Sequence, residues 1–470
     1  MNVSKTILRA LALGALLVLL GTGASPAEGG LTVSAAGAVR GYTDNSLRVS
    51  APAAGLLTVT VSDQYNLYRT LTVPVEAGEQ ELTWDGLSDN GKRIGQYNGE
   101  YRLRAVLRGT DGGEWTAETG ISVTGSRQTL LLALPSSGTL YLADSDWFVE
   151  LQTVRQDSGD KVYMEVCRAD RPDQPVLSRA IPIADEVSFR FYWKGGKRNA
   201  LGPGDYILTF WCGKNARVRH AFPLRMEEGS APAAPVGVTG EIMPAEGAGD
   251  SELWRLMREP SVVVDIKDTA HQTVYAAPDL KAEALGTLHG QTQALQVLEE
   301  PENGWAKIAA FRHEDGQKIT GYVPLSRLKV AYPNGPYGLL VDKAAQRLIV
   351  FENGERIAEL PVSTGLPTDL HPERETTAGV FLTSEHIGDF ISERRHYSDV
   401  IRYDGGNLLH SAGHRRDGRH CDFTEQLPLL GQKASHGCVR IPPFAVDESG
   451  IDSWWLYTHL PYHTRVIVTE

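Results

Sequence analysis

Ala434-Ser435-His436-Gly437-Cys438-Val439-Arg440-Ile441, taken with Leu408-Leu409-His410-Ser411 upstream, is the stretch from which the rest of the chain is read. A thiol in a turn of small and polar residues is badly placed for core packing and well placed for chemistry. As thiolate it is a strong nucleophile, a nearby imidazole can take its proton, and adjacent backbone amides can stabilise an oxyanion. Cys438 is therefore the candidate nucleophile and His410 its candidate general base. On these residues alone, any cysteine acyltransferase fits, a protease included.

Upstream of this stretch short apolar runs separated by turn signals read as strands. They are Leu339-Leu-Val-Asp342, Arg347 to Phe351, Ile357 to Gly365, Thr377-Ala-Gly379-Val-Phe381 and Ile401 to His410. Asn353-Gly354 between two apolar runs predicts a tight hairpin. Residues 447–459 are expected to be helical and Thr464 to Thr469 to form a last strand, so this part is mostly β.

The order Val-Asp-x-x-x-Gln-x-Leu-x-Val-Phe, Val-Ser-Thr-Gly, Thr-x-Gly-x-Phe, Leu-His-Ser-Ala, Leu-Gly and Ser-His-Gly-Cys-Val-Arg resembles the L,D-transpeptidase (YkuD-type) catalytic domain of bacterial cell-wall enzymes, over residues 335–469. The resemblance implies that Cys438 is the nucleophile, His410 the general base and Ser411 the position whose backbone orients that histidine. Ser435, His436 and Gly437 match the motif before the nucleophile. The amides of Gly437 and Cys438 are candidate oxyanion donors, His436 is expected to orient the loop, and Arg440 is expected near the substrate. The implied reaction joins peptidoglycan stem peptides through a thioester on Cys438, with release of D-alanine and no cofactor. Two alternatives stand beside it: an L,D-carboxypeptidase in which water resolves the thioester, and a non-catalytic wall-binding protein. The connection from His410 to Cys438 is longer than the family pattern and includes His414-Arg415-Arg416-Asp417-Gly418-Arg419-His420-Cys421. With Arg394 and Arg395, those arginines could form a basic rim. Tyr397 is a candidate for the lid tyrosine of some relatives.

Towards the N-terminus the expectation is a series of small β modules. Residues 31–126 alternate apolar and polar positions. Leu82-Thr-Trp84-Asp85-Gly86, followed by Gly99-Glu-Tyr101, resembles an immunoglobulin-like β-sandwich. Phe191-Tyr-Trp193-Lys-Gly195 with Gly204-Asp-Tyr206 echoes it, which predicts a second sandwich over 127–226. Trp84 and Trp193 are expected in the core. Residues 227–260, rich in Ala, Gly, Pro and Glu, read as a linker. Residues 261–331, with Gly304-Trp305-Ala-Lys and Gly321-Tyr322-Val, resemble a bacterial SH3-like domain. Contact of these modules with the cell wall is one reading, and a spacer role the other.

Composition bounds these readings. The chain has 470 residues and a formal net charge of −12, so several domains are expected and a polyphosphate partner is not. Lys5 and Arg9 precede an apolar run to Leu20 and then small residues, the pattern of a signal peptide over 1–27, and the body is expected to be exported to the periplasm, wall or exterior. Membrane attachment is expected only if that segment stays uncleaved. The four cysteines are Cys167, Cys212, Cys421 and Cys438. A bridge between Cys167 and Cys212 and two buried thiols are both open, whereas Cys421 and Cys438 are expected to be reduced. No metal site is expected at His410, His414, His420, His436 and the cysteines, because they lack paired ligand spacing and zinc would silence Cys438.

Overall fold

The computed structural model describes residues 30–92, 94, 99–126, 129–144, 147–154, 161–182, 188–193, 201–213, 219–231, 234–418 and 420–470. The expected signal segment lies outside the described residues, as does Arg419. No helix among the described residues is long and apolar enough to cross a membrane. The chain is mostly β and divides into two compact units.

The first unit holds the described residues up to Thr129, with Val154 and the described part of Arg416–Asp422. Its five-stranded sheet runs in the order Val39–Gly41, Glu114–Ser126, Gly99–Gly109, Gly55–Ser62, Leu67–Val75, and its three-stranded sheet joins Thr32–Ala35, Asn45–Ala51 and Gly78–Trp84. Alternation along Gly55–Ser62 buries Leu57, Val59 and Val61 on one face, as the period of a strand requires. Trp84 is buried, its indole Nε1 donating to the Leu87 carbonyl at 2.9 Å. Within this unit His420 Nδ1 lies 2.9 Å from Asp63 Oδ2, and the Asn66 amide donates to the Cys421 carbonyl at 2.8 Å.

The second unit holds the remaining described residues. Its first part again pairs a five-stranded with a three-stranded sheet, around Val149, Leu151, Val162, Met164, Trp193, Leu208 and Phe210. Val162 stands opposite Cys212, and Cys167 opposite Ile207, in one antiparallel ladder. The two cysteines are thus five positions apart along it, roughly 17 Å at the rise of a strand, too far to bridge. No disulfide joins any of the four cysteines.

A second five-stranded sheet covers residues 271–324, in the order Ala284–His289, His271–Tyr275, Lys318–Pro324, Trp305–Phe311, Gln296–Val297. The stretch expected as a linker carries the helix Asp250–Arg258. Its Leu253, Leu256 and Met257 face the same way at helical spacing and are buried with Leu340, Ile349, Phe351, Val380 and Ile467. Three apolar residues in a Gly/Pro-rich surround are too weak a pattern to announce a helix by themselves, and packing supplies the rest.

The C-terminal part is two sheets on one core. One has the order Glu355–Pro361, Arg347–Glu352, Tyr337–Asp342, Arg465–Val468, Gly379–Leu382. The other has His386–Ser392, Arg395–Asp404, Asn407–Ser411, Val439–Ile441. Leu339, Val341, Phe381, Tyr403, Leu409, Val439 and Ile441 meet between them, with Leu456 and Tyr457 of the helix Ser453–His459. Asn353 and Gly354 both have positive φ, at 51° and 94°, as a two-residue primed hairpin requires.

Candidate active site

The strand Asn407–Ser411 ends a tight hairpin whose turn is Gly405-Gly406, and Val439–Ile441 runs parallel beside it. Leu409 pairs with Val439, His410 with Arg440 and Ser411 with Ile441, so Cys438 enters the sheet one residue before the paired segment. Chain pairing of this kind brings together residues far apart in sequence without any long side chain reaching across.

His410 is buried, and its Nδ1 lies 2.7 Å from the Ser411 carbonyl. A carbonyl only accepts, so Nδ1 carries the hydrogen and Nε2 keeps its lone pair. Burial pulls the imidazole down to about 4, opposed by the Ser411 bond and reinforced by the Arg440 charge. Tyr397 stands edge-on to the ring at 4.8 Å and Phe390 at 5.6 Å, and these two aromatics stack on each other. Tyr397 is itself buried and fixes the ring rather than standing free above it. The Ser411 side chain accepts from the Ser398 amide at 3.0 Å, which holds neighbouring strands together.

Cys438 is half-buried, with Sγ 3.9 Å from the Gly406 carbonyl. Burial pushes its thiol up. Backbone hydrogen bonding at Leu408 and the charges of Arg440 and Arg402 pull the other way. With the imidazole depressed and the thiol raised, both groups rest uncharged near neutral pH.

The turn before Cys438 is built from its own motif. The Ser435 hydroxyl, buried, donates to the Cys438 carbonyl at 2.5 Å and accepts from the Gly437 amide at 3.2 Å. Gly437 has φ of 116°, and a Cβ there would lie 2.3 Å from Asn407 Oδ1, so no side chain fits. His436, expected to orient the loop, is exposed, with Nδ1 3.9 Å from Glu393 Oε1. The Arg440 guanidinium donates to Gln426 Oε1 at 3.1 Å, and its backbone pairs with Ser363.

The remaining motifs explain their own co-occurrence. Gln346 grips Thr364 twice, donating to its hydroxyl at 2.6 Å and accepting from its amide at 2.9 Å. The Thr364 carbonyl then accepts from the amides of Ala434 and Ser435, both at 2.9 Å. Thr376 is fully buried; its hydroxyl donates to the Gly437 carbonyl and accepts from the Gly365 amide, both at 2.7 Å. Lys343, buried, reaches Glu375 at 2.6 Å and the Thr376 carbonyl at 3.0 Å. Thr376 and Asn407 were not singled out from sequence, because a threonine or an asparagine in a loop carries no signal until its partners are known. Of the arginines expected as a rim, Arg395 and Arg415 both pair with Glu425, at 2.8 and 3.2 Å.

The YkuD family, the L,D-transpeptidase catalytic domain, matches residues 336–468. A putative L,D-transpeptidase, YciB of Bacillus subtilis (strain 168), is 29% identical over 138 residues, which is 27% of this chain and 63% of that protein. The chain thus spans less than two thirds of that curated relative. An L,D-transpeptidase structure from Mycobacterium smegmatis is 14% identical, with 58% of this chain and 96% of that one covered at a TM-score of 0.22. One from Mycobacterium tuberculosis H37Rv is also 14% identical, with 45% and 98% covered at 0.23. Residues 336–468, which contain His410, Thr376 and the Ser435–Arg440 turn, are a YkuD L,D-transpeptidase catalytic domain.

Proposed function

We propose that the chain is a peptidoglycan L,D-transpeptidase in which Cys438 carries the acyl group and His410 moves the proton. The observation that supports this best is the fixed tautomer of His410: its Nδ1 is tied to the Ser411 carbonyl, leaving Nε2 as the only basic atom of the ring. In the first step Nε2 takes the Cys438 proton as sulfur attacks the carbonyl of the third stem residue. The tetrahedral intermediate collapses, the C–N bond to D-alanine breaks, and the imidazolium returns its proton to the departing amine. The side-chain amine of another stem's third residue then attacks the thioester. His410 accepts that amine's proton and passes it to the leaving sulfur, and the cross-link forms. The Ser411 carbonyl stabilises the imidazolium in both halves.

The Gly437 amide, drawn to the Ser435 hydroxyl in this structure, is weakly held at 3.2 Å and can exchange that partner for the oxyanion. The stem peptide places the site of action outside the cytoplasm, in keeping with the cell-wall or periplasmic work of this catalytic family. The modules before residue 335, read as immunoglobulin-like and SH3-like, would set the catalytic domain against the wall.

The test is product analysis by mass spectrometry after incubation with disaccharide-tetrapeptide. Cross-linked dimer from the wild type and none from Cys438→Ala is expected. Tripeptide without dimer would assign the carboxypeptidase, and equal dimer from both proteins overturns the role of Cys438.

A further inference from the structure

Three histidines with no motif spacing, His271, His289 and His313, come together beside the Gly405-Gly406 turn of the hairpin that carries His410. His271 and His289 stand directly opposite in the antiparallel pairing of His271–Tyr275 with Ala284–His289. His313 is drawn in by its backbone, whose amide donates to the Thr287 carbonyl at 2.9 Å. Ring centroids lie 4.6, 5.2 and 4.0 Å apart, and one nitrogen from each ring falls within 4.8 Å of the others.

We propose that His271, His289 and His313 form a binding site for a divalent late first-row cation, zinc being the natural occupant. Neutral imidazoles suit zinc, cobalt, nickel and copper far better than calcium or magnesium. Tetrahedral zinc at about 2.0–2.1 Å from nitrogen wants its ligands roughly 3.4 Å apart, so modest side-chain rotation closes the set. The outer groups are those a metal site needs. Asp404 Oδ1 lies 3.2 Å from His289 Nδ1, and the two side chains are buried together. That fixes hydrogen on Nδ1 and leaves the lone pair of Nε2 free for a metal. His271 Nδ1 lies 3.3 Å from the Thr287 hydroxyl, which donates to Glu314 at 2.8 Å and so can only accept from the ring. His271 Nε2 is left as a donor atom to metal. His313 Nδ1 is buried and makes no hydrogen bond, an orphan that a cation would satisfy.

A bland alternative is that the rings merely stack. It does not explain one imidazole backed by a carboxylate and a second by a carboxylate-bound hydroxyl beside a third with a bare buried nitrogen. His271 is exposed, so the fourth position opens to water. Gly405, whose Cβ would lie 2.2 Å from His289, lets the hairpin turn press against the ring. Asp404 also accepts from the Asn407 amide at 3.2 Å, so the second carboxylate oxygen faces the nucleophile's turn. The site stands on this geometry and not on the transpeptidase reading.

The experiment uses the full chain carrying Cys438→Ala, stripped of metal, so that no ion binds at the nucleophile. Titration with Co²⁺ is expected to give one equivalent with visible d–d bands of a tetrahedral nitrogen and oxygen site and no thiolate charge-transfer band, displaced by Zn²⁺. His271→Ala, at an exposed position that folding does not need, is expected to weaken binding at least roughly 100-fold, and Asp404→Asn roughly 10-fold. A melting curve of each metal-free variant confirms folding. No d–d absorption in the parent, a thiolate band, or unchanged affinity in His271→Ala overturns the assignment. Dimer formation by the wild type is read separately, so either conclusion can fail alone.

Discussion

Thr376→Val removes one hydroxyl and leaves nearly the same volume, so its effect isolates two hydrogen bonds. The hydroxyl is fully buried and serves the Gly437 carbonyl and the Gly365 amide, each at 2.7 Å. Valine leaves both backbone groups without a partner and without water. At about 1–3 kcal/mol for each of the two stranded groups, the domain loses about 2–6 kcal/mol. The Gly437 carbonyl belongs to the peptide that leads into Cys438, so its release lets the nucleophile drift. A displacement near an ångström costs roughly 10- to 100-fold in acylation rate. Thr376→Ser keeps the hydroxyl and loses a methyl, at about 1 kcal/mol, and is expected to restore most of the rate. The assay is the rate at which Cys438 gains the mass of a carbapenem, with a melting curve for each protein. Wild-type melting and acylation in Thr376→Val would falsify the reasoning, as would a serine variant as slow as valine.

Other outcomes follow from the same structure. Because burial holds His410 near 4, it stays an unprotonated base down to that pH; the acid limb of the acylation rate is expected near 4 rather than 6.5, and a limb at 6.5 contradicts the buried tautomer. Glu150, buried beside Arg190, has its carboxyl raised from 4.5 to about 7 by burial. The native state then holds a proton that the unfolded chain gives up, so stability falls as pH rises from 4.5 through 7. Glu150→Gln should melt higher than wild type at pH 8 by up to about 3 kcal/mol equivalent and not at pH 4, with equal differences at both refuting it. Met257→Ala opens a void against Gly338 in the helix–sheet contact; a loss of about 2–5 kcal/mol is expected by denaturant unfolding, and a loss under 1 would mean that the helix does not support the sheet.

Much of the catalytic domain is legible because its signals are local. Its strands announce themselves as short apolar runs between turn residues, Asn353-Gly354 by the positive φ that both residues tolerate, and the Ser-His-Gly-Cys turn by residue types unsuited to a core. The helix Asp250–Arg258 escaped because its stability comes from a sheet built by residues almost a hundred positions later. The turn before Cys438 was legible only as residue types, and its actual path decides which side chain faces in: His436 is exposed. Ser435, beside it, is the one that points inward.

What the sequence determined by itself is the chemistry available: a thiol and an imidazole in a β-rich domain, in an order that one family uses. Tertiary structure alone decided the state of that chemistry and the company it keeps. Which nitrogen of His410 is free depends on a carbonyl placed by strand pairing, and which hydroxyl braces Gly437 depends on a loop folded back across the sheet. The meeting of His271, His289 and His313 depends on the register of one strand pair and on a turn brought against it. Hydrogen bonds and ligand sets are properties of distances, and sequence spacing records distance only along the chain.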